Sequence, residues 1–174
     1  LSDGGTPLVC DPGELLIRRV RENQIPFTAI PGPCALIQAL ICSGLKSHPF
    51  QFLGFMPRKA SEIAQMMPET LSFPGTSLFY ESPKRLIATL SCVAKLSPNS
   101  RICVARELTK TFEEVITLEA AALLDHFSTK EVKGEIVILI EGGQDAFLHK
   151  EPKDLVQELQ ETYGLTLTEA IKVS

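Results

Sequence analysis

Two stretches rich in glycine and proline each lie between a predicted strand and a predicted helix. The first spans residues 2–13 and reads SDGGTPLVCDPG, and the second spans residues 30–35 and reads IPGPCA. Glycine lets the backbone approach a ligand closely, and backbone N–H groups at a helix N-terminus form a polar platform. Neither stretch has the spacing of a nucleotide P-loop or of the Rossmann fingerprint. Each stretch alone is also typical of a tight turn, but two in one domain favour a shared pocket.

Charged side chains follow the ends of further predicted strands. These segments are residues 78–85 (LFYESPKR), residues 104–110 (VARELTK) and residues 133–141 (KGEIVILIE). A carboxylate such as Glu81 can orient a ligand or act as a base, and cations such as Lys84 and Arg85 can contact phosphate. The alternative interpretation is that these are solvated surface charges and that Arg106 pairs with Glu107. The spacing is compatible with both interpretations.

The elements that carry these residues alternate between strand and helix. Predicted strands cover residues 25–30, 50–55, 76–80, 101–105, 112–118 and 135–141. Predicted helices open near Glu14 and cover residues 34–42, 58–67, 83–96 and 119–127. Proline marks two of the helix boundaries, because Pro68 is expected to end one helix and Pro83 to start the next. The alternation predicts an α/β fold.

Changes in composition predict three units along the chain. They are the C-terminal part of an N-terminal α/β domain (residues 1–48), a second α/β domain (residues 49–143) and a helical tail or the start of a small C-terminal domain (residues 144–174). The last unit contains two short predicted helices, at residues 154–163 and 168–173. The chain opens on Leu1 in what reads as the end of a strand, so we expect a further piece of the first domain upstream.

The composition excludes several classes of protein. Of 174 residues, 44 % are hydrophobic and 22 % are charged, which is typical of a folded soluble protein and not of a disordered one. The formal net charge of −4 argues against a non-specific nucleic-acid coat but allows a local basic RNA site. No apolar run is long enough to span a bilayer. Five cysteines without C-x-x-C spacing predict no metal site and reduced, mostly buried thiols in a cytoplasmic protein.

Six motifs in a fixed order resemble one known family. They are SDGGTP with DPG, then PGPCA, FLGFMPRK, LFYESPKR, ARELTK and KGEIV, and they extend from Leu1 to about Gly143. In these motifs the chain resembles the bacterial 16S ribosomal RNA (cytidine 2′-O-ribose) methyltransferases of the tetrapyrrole methylase superfamily. The resemblance implies a two-domain α/β fold, with most of the N-terminal domain lacking here. It also implies S-adenosylmethionine in the cleft between the domains, a homodimer, and 16S rRNA or the small ribosomal subunit as substrate.

The same resemblance assigns roles to residues. It implies cofactor contacts at turns and strand ends, namely Thr6, Pro7, Val9, Pro33, Cys34, Ala35, Tyr80, Glu81, Ala105, Arg106, Gly134 and Glu135. Methyl transfer to a ribose hydroxyl needs alignment of the reacting atoms and is helped by a base. Glu81 and Glu107 are the candidate bases, because each ends a strand facing the predicted cleft, and Lys110 is the candidate for stabilising the alkoxide. The candidate RNA-binding cations are Arg58, Lys59, Lys84 and Arg85.

Two other functions are compatible with these motifs. One is methylation of a small tetrapyrrole by an enzyme of the same superfamily, which would need an apolar pocket for a planar ligand and little basic surface. The paired cations at residues 58–59 and 84–85 argue against it. The other is a truncated, non-catalytic chain that folds and dimerises without binding the cofactor.

Overall fold

The computed structural model describes residues 5–143 together with Gln160, Thr166 and Leu167. Residues 1–4, which open the first glycine-rich stretch, lie outside the described residues. So does most of the predicted tail at residues 144–174, including nearly all of its two predicted helices.

Five strands form one mixed sheet. They are β1 (Phe50–Phe55), β2 (Thr76–Glu81), β3 (Arg101–Arg106), β4 (Glu114–Glu119) and β5 (Ile136–Glu141), in the spatial order β1-β2-β5-β3-β4. Strands β1 and β2 are parallel, and the other three neighbouring pairs are antiparallel. The C-terminal ends of β1, β2 and β3 therefore meet the starts of β4 and β5 at one edge of the sheet. The central strand β5 is buried at every position, as expected for a strand covered on both faces.

The helices of residues 5–143 are α1 (Glu14–Glu22), α2 (Ala35–Ser43), α3 (Ala60–Ser72), α4 (Leu86–Leu96) and α5 (Ala120–Ser128). Helices α2 to α5 cover the two faces of the sheet, whereas α1 buries no residue. Helices α3, α4 and α5 share a core cluster with one face of the sheet, where Phe79 and Ile138 are fully buried. Helix α2 packs Leu36 and Leu40 against Leu139 on the other face. The alternation of side chains along each strand supplies both clusters.

The packing of α2 bears on the predicted division of the chain. Its residues fall in the predicted unit of residues 1–48, yet its apolar side covers the sheet built by residues 50–141. The segment from residue 35 onward is therefore one packed body in the described part of the chain. The three predicted domain boundaries stay predictions.

The strand predicted at residues 25–30 is wrong, because this segment has no regular secondary structure. Its apolar residues Ile25, Phe27 and Ile30 are 54 %, 48 % and 83 % exposed. A strand is stable only when a neighbouring strand takes its backbone hydrogen bonds, and none of the five described strands lies beside it. The apolar alternation alone therefore does not indicate a paired strand.

Both proline boundaries differ from their predicted positions. Helix α3 continues through Pro68 to Ser72, and the buried side chains of Met67 and Leu71 on either side of the proline hold the last turns against the core. Helix α4 begins at Leu86, because residues 83–85 form a turn whose Arg85 side chain reaches back to Glu81. The other elements predicted between residues 34 and 143 are confirmed to within about two residues at each end.

The five cysteines all lie among the described residues and form no disulfide, but the prediction that most of them are buried is wrong. Only Cys103, on a central strand, is buried, whereas Cys10 and Cys42 are exposed. No helix among the described residues is long and apolar enough to cross a membrane. The described residues also contain no group of three or more side chains suited to holding a metal ion.

Candidate active site

A cleft of about 1280 Å³ opens at the edge of the sheet where β1, β2 and β3 end and β5 begins. Small-molecule sites commonly measure roughly 300–1,000 Å³, so the cleft has room for a cofactor together with part of a substrate. One wall consists of the loops before α1 and α2, and the other consists of strand ends and the turns that follow them. The location agrees with the rule that α/β proteins bind ligands beyond the carboxyl ends of strands.

The loop wall is formed by the two glycine-rich stretches, which are bonded to one another. The backbone N–H of Thr6 donates to the carbonyl of Pro33 at 2.8 Å, and its hydroxyl donates to the same carbonyl at 3.1 Å. Gly5 lies at φ +77°, and a Cβ there would come within 2.5 Å of the Pro33 oxygen. Glycine is therefore required for this close approach. The two stretches therefore line one pocket, as predicted, and together form one of its walls.

Strained backbone accompanies this wall. Leu8 and Cys10 have positive φ values of 76° and 59°. Residues other than glycine rarely adopt such values, and those that do are often found at functional sites. At the start of α2, the Cys34 N–H donates to the side-chain oxygen of Gln38 at 3.0 Å. Cys34, Ala35 and Gln38 line the cleft, so the N-terminus of α2 faces it.

The opposite wall carries an aromatic group centred on Tyr80. Its ring lies 5.0 Å from that of Phe52 and 5.5 Å from that of Phe55, both on β1. Burial raises the pKa of the Tyr80 phenol, and the nearby Cys34 and Cys10 side chains add to the rise. Tyr80 is therefore a neutral hydrogen-bonding group at physiological pH, set in an apolar surface.

Glu81 follows Tyr80, but its carboxylate is enclosed by protein donors. One oxygen accepts a hydrogen bond from the Ser82 N–H at 2.6 Å and forms an ion pair with the Arg85 guanidinium at 2.5 Å. The other oxygen accepts a bond from the Thr89 hydroxyl at 2.5 Å. The side chain of Glu81 is completely buried, and that of Arg85 is 28 % exposed. This geometry suits a structural ion pair better than a base that exchanges protons with a substrate.

A second charged group sits at the cleft itself and is centred on Lys110. Its ammonium lies 3.0 Å from a carboxylate oxygen of Glu107 and 2.9 Å from one of Glu135. The Glu135 N–H also donates to Glu107 at 3.0 Å. The hydrogen bonds from Glu135 and Lys110 lower the pKa of Glu107, and the hydrogen bonds to Glu135 and Glu107 raise the pKa of Lys110. We call these three residues the Lys110 cluster.

Two backbone features make the Lys110 cluster possible. Glu107 and Thr109 lie at φ 50° and 64°, which turns the chain sharply after β3. Gly134 lies at φ +93°, and a Cβ there would collide with the Glu107 carboxylate. Any larger residue at position 134 would therefore displace the side chain that holds Lys110.

Arg106 points away from the cleft. Its guanidinium donates to Glu114 at 2.6 Å and to the carbonyl of Lys133 at 3.3 Å. The alternative interpretation, in which Arg106 pairs with Glu107, is therefore wrong, because Arg106 pairs with Glu114 while Glu107 pairs with Lys110. Burial opposes ionisation of Glu114 most strongly, but the bond and charge of Arg106, helped by Lys130, outweigh it and lower the Glu114 pKa. Arg106 thus anchors the loop that presents Gly134.

Most of the predicted cofactor residues line this cleft. They are Thr6, Val9, Pro33, Cys34, Ala35, Tyr80, Glu81, Ala105, Gly134 and Glu135. Pro7 and Arg106 do not line it. The cleft also contains residues that were not predicted to contact the cofactor, among them Asp11, Gln38, Phe55 and Leu108. Phe55 could have been found, because it ends β1 as Tyr80 and Glu81 end β2.

The four predicted RNA-binding cations lie in two different settings. Arg58, Lys59 and Lys84 are exposed, although Lys59 lies 3.2 Å from Glu62 on the next turn. Arg85 instead bonds Glu81 and the carbonyl oxygens of Met56 and Pro57. Three of the four side chains are thus on the surface. The fourth, Arg85, links the loop after β1 to the end of β2.

Comparison with known proteins places the chain in a family. A family model described as Tetrapyrrole (Corrin/Porphyrin) Methylases matches residues 1–124. The chain belongs to the tetrapyrrole methylase family. It is 42 % identical over 142 residues to a Ribosomal RNA small subunit methyltransferase I of Hydrogenobaculum sp. (strain Y04AAS1), which covers 80 % of this chain and 61 % of that protein. A protein of the same name from Xylella fastidiosa (strain Temecula1 / ATCC 700964) is 43 % identical over 148 residues, covering 83 % of this chain and 54 % of the relative.

Solved structures support the same fold. The methyltransferase CobJ matches with a TM-score of 0.56 and 16 % identity, covering 80 % of this chain and 62 % of CobJ. A Thermus thermophilus uroporphyrin-III C-methyl transferase in complex with S-adenyl homocysteine matches with a TM-score of 0.51 and 15 % identity, covering 80 % of this chain and 63 % of that one. This tetrapyrrole methylase chain spans about half to three fifths of the length of the two curated relatives.

Proposed function

We propose that the protein transfers the methyl group of S-adenosylmethionine to the 2′-hydroxyl of a cytidine ribose in 16S rRNA. The observation that carries the proposal is the identity of 42–43 % to relatives named for methylation of small-subunit ribosomal RNA. The cleft supports it, because it combines a neutral polar and apolar surface for a cofactor with a held cation for a developing negative charge.

The residues of the cleft fit S-adenosylmethionine. Gly5 lines the loop wall and Gly134 the sheet wall, and a Cβ at either position would collide with the Pro33 carbonyl or the Glu107 side chain and displace that wall. Thr6, Val9 and the residues that start α2 would hold the cofactor from the loop wall. Tyr80 and Ala105 would hold it from the sheet wall. The volume of about 1280 Å³ leaves space beside it for a nucleotide.

When bound, S-adenosylmethionine supplies a methyl group activated by a positively charged sulfur. Lys110 stabilises the ribose oxygen as its O–H bond weakens and negative charge develops there. Its raised pKa keeps the ammonium charged throughout the physiological range, so Lys110 acts as a cation and not as a base. The two carboxylates around it fix its position before substrate arrives, which is the preorganisation that makes such stabilisation effective.

Glu135 accepts the proton that the hydroxyl releases. It lines the cleft, its side chain is 88 % exposed, and it already contacts the Lys110 ammonium. Glu107 is a poorer acceptor because its pKa is lowered by the bonds that tie it to Glu135 and Lys110. We therefore assign Glu107 to positioning Lys110, and Glu81 to holding the turn that follows β2.

We further propose that the protein acts in the cytoplasm as a homodimer and that Arg58, Lys59 and Lys84 contact the RNA. The support is the family resemblance together with the exposure of these three cations. Light scattering of the full-length protein in solution tests the dimer. A monomeric mass at micromolar concentration would contradict it.

The methylation proposal is tested with the full-length protein, a radiolabelled methyl donor and unmodified small ribosomal subunits. A 2′-O-methyl group blocks alkaline cleavage of the neighbouring phosphodiester, so the label should appear in an alkali-resistant dinucleotide. Label in alkali-sensitive nucleotides would contradict the assigned atom. Transfer to a tetrapyrrole and none to RNA would establish the alternative substrate.

The assigned roles are tested by three substitutions. Lys110→Ala should lower kcat by about 10²–10³-fold, the range for loss of one preorganised donor, and Lys110→Arg should retain more activity. Glu135→Gln removes the proposed proton acceptor and should lower kcat by about 10²-fold or more, whereas Glu107→Gln only loosens the position of Lys110 and should lower kcat less. A wild-type kcat in Glu135→Gln would show that another group accepts the proton.

A further inference from the structure

One aromatic ring at the cleft is far more exposed than its neighbours. Phe55 ends β1, lines the cleft and is 61 % exposed. Its inner edge rests on Tyr80, with ring centroids 5.5 Å apart, and Tyr80 in turn contacts Phe52. An exposed phenylalanine ring does not gain the free energy of burial in the protein alone. In the cleft, the exposed face of Phe55 is available to stack on a planar ligand.

The loop that follows Phe55 carries two of the exposed cations. Arg58 and Lys59 come three and four residues after it, between β1 and α3. A nucleic-acid site combines these two features, because aromatic rings stack on bases while nearby cations contact the phosphates. This short segment is therefore better suited to binding a nucleotide than to binding an apolar protein surface.

The structure also fixes this loop in place. The Met56 N–H donates to the carbonyl of Tyr80 at 2.9 Å. The Arg85 guanidinium donates to the carbonyls of Met56 at 3.2 Å and Pro57 at 3.4 Å, while Glu81 holds the guanidinium from the other side. Phe55 is therefore held between a paired strand and an anchored loop, which lowers the entropy lost when a ligand binds.

We propose that the exposed face of Phe55 is the stacking platform for an unpaired nucleobase of the substrate RNA, with Arg58 and Lys59 contacting its phosphates. This inference rests on the proposed RNA substrate and names the residue that holds the base. A hydroxyl to be methylated at the Lys110 cluster belongs to a ribose whose base must be placed within the same cleft. Sequence-specific RNA recognition targets unpaired bases, which are free to stack on aromatic side chains.

The first test separates an aromatic platform from a merely apolar contact. In the full-length protein, Phe55→Leu keeps an apolar side chain but removes the ring, and Phe55→Tyr keeps the ring. The probe is a single-stranded RNA oligonucleotide containing the cytidine, titrated in parallel with S-adenosylhomocysteine. We expect Phe55→Leu to weaken RNA binding by roughly 5- to 150-fold, the range for loss of one base–aromatic stack, and Phe55→Tyr to change it less than threefold.

Phe50 provides the matched control. It lies on the same strand and is 43 % exposed, but it does not line the cleft. Phe50→Leu should leave the RNA affinity within twofold of wild type. Equal effects of Phe50→Leu and Phe55→Leu would overturn the platform. A loss of S-adenosylhomocysteine affinity in Phe55→Leu, with RNA affinity retained, would reassign the ring to the cofactor.

A second measurement reports stacking directly. The chain contains no tryptophan, so Phe55→Trp introduces its only indole. Stacking of a base should quench the fluorescence of this indole as RNA is added, and a duplex of the same sequence should quench it less. A Phe50→Trp variant should show little quenching. Absence of quenching in Phe55→Trp, in a variant that still binds RNA, would overturn the proposal.

Different results would contradict the proposed methylation of RNA and the proposed stacking on Phe55. If the wild-type protein methylates no RNA, the proposed function fails. If it methylates the ribose while Phe55→Leu shows unchanged KM and kcat, the function stands and the platform is wrong. Circular dichroism of each variant checks that the fold is retained, because Phe55 is exposed and its replacement should leave stability nearly unchanged.

Discussion

The two walls of the cleft are built in different ways. The sheet wall rests on strands whose side chains fill core clusters on both faces, with Phe79, Ile138 and Leu139 fully buried. The loop wall rests on residues 5–34, where α1 buries no residue and Leu16 is 65 % exposed. Both walls carry cleft residues, but only the sheet wall has a core of its own among the described residues.

This difference shows what each wall contributes. The sheet wall supplies the Lys110 cluster, whose position depends on strand register and on turns fixed by neighbouring strands. The loop wall supplies backbone surface, held by the bonds between Thr6 and Pro33 and by partial burial of Val9 and Cys34 against the second core cluster. The groups proposed to take part in the reaction, which need precise positions, therefore lie on the wall with the denser packing.

The comparison predicts a large difference in the cost of truncating apolar side chains. Phe79→Ala removes a fully buried ring from the sheet wall and should lower the free energy of unfolding by about 3–5 kcal/mol. Ile30→Ala acts on a side chain that is 83 % exposed and should change it by less than about 0.5 kcal/mol. Chemical denaturation of both variants measures the difference.

A comparable loss of stability in Phe79→Ala and Ile30→Ala would contradict the difference in packing between the two walls. It would mean that Ile30 is buried in the full-length protein and that the loop wall has a core supplied from outside residues 5–143. Light scattering at several protein concentrations would then separate burial within one chain from burial between two copies.

The sheet wall is also the part of the fold that the sequence predicted well. The all-apolar run of β5 and the strand ends at Tyr80 and Ala105 were recognisable, because these strands have their partners within the same stretch of chain. Residues 25–30 carry an equally good strand pattern but have no partner among the described strands. Local pattern reports the tendency to extend, whereas pairing is a long-range property.

The site was predictable as a set of segments but not as a set of contacts. Motif positions indicated most of the lining residues, since glycine-rich turns and strand ends converge at one edge of such sheets. They did not indicate that Glu81 is enclosed by Arg85, or that Glu135 belongs with Lys110. Those contacts depend on the direction in which each side chain points at the end of its strand. They also depend on the positive φ values of Glu107 and Gly134.

A second prediction compares ion pairs in the two regions. Arg85→Ala leaves the buried Glu81 carboxylate without its charged partner and should lower the free energy of unfolding by about 3 kcal/mol. Arg18→Ala breaks an exposed pair with Glu14 on α1 and should cost less than about 0.5 kcal/mol. Thermal unfolding at low and moderate salt measures both changes, and only the Arg18 pair should be sensitive to salt.

If Arg85→Ala proves as mild as Arg18→Ala, the Glu81 carboxylate must be solvated and the enclosed geometry is wrong. Arg85→Lys provides a further control, because it keeps the charge but has fewer donors for the carbonyls of Met56 and Pro57. It should recover part of the stability and leave the loop that carries Phe55 less firmly held.

The smallest predicted effect concerns thiols and alkaline pH. Burial raises the pKa of Cys103, on the sheet wall, to about 11 from its ordinary value of 9.0, against the opposing effect of a hydrogen bond with Thr117. In the unfolded chain the thiol ionises first, so the unfolded state binds fewer protons and is stabilised relative to the folded state as pH rises. The stability due to the neutral buried thiol is complete below pH 9 and is lost between about pH 9 and 11, by at most about 2.7 kcal/mol.

Two alanine variants test this assignment. Cys103→Ala removes the titrating group, so its free energy of unfolding should fall less steeply between pH 9 and 11 than that of the wild type. Cys10→Ala removes an exposed thiol from the loop wall and should leave the wild-type slope unchanged. The measurement is urea denaturation at constant ionic strength and at closely spaced pH values, with reductant present. A wild-type slope in Cys103→Ala would show that other groups cause the alkaline loss, since a neutral alanine at position 103 has no proton to lose.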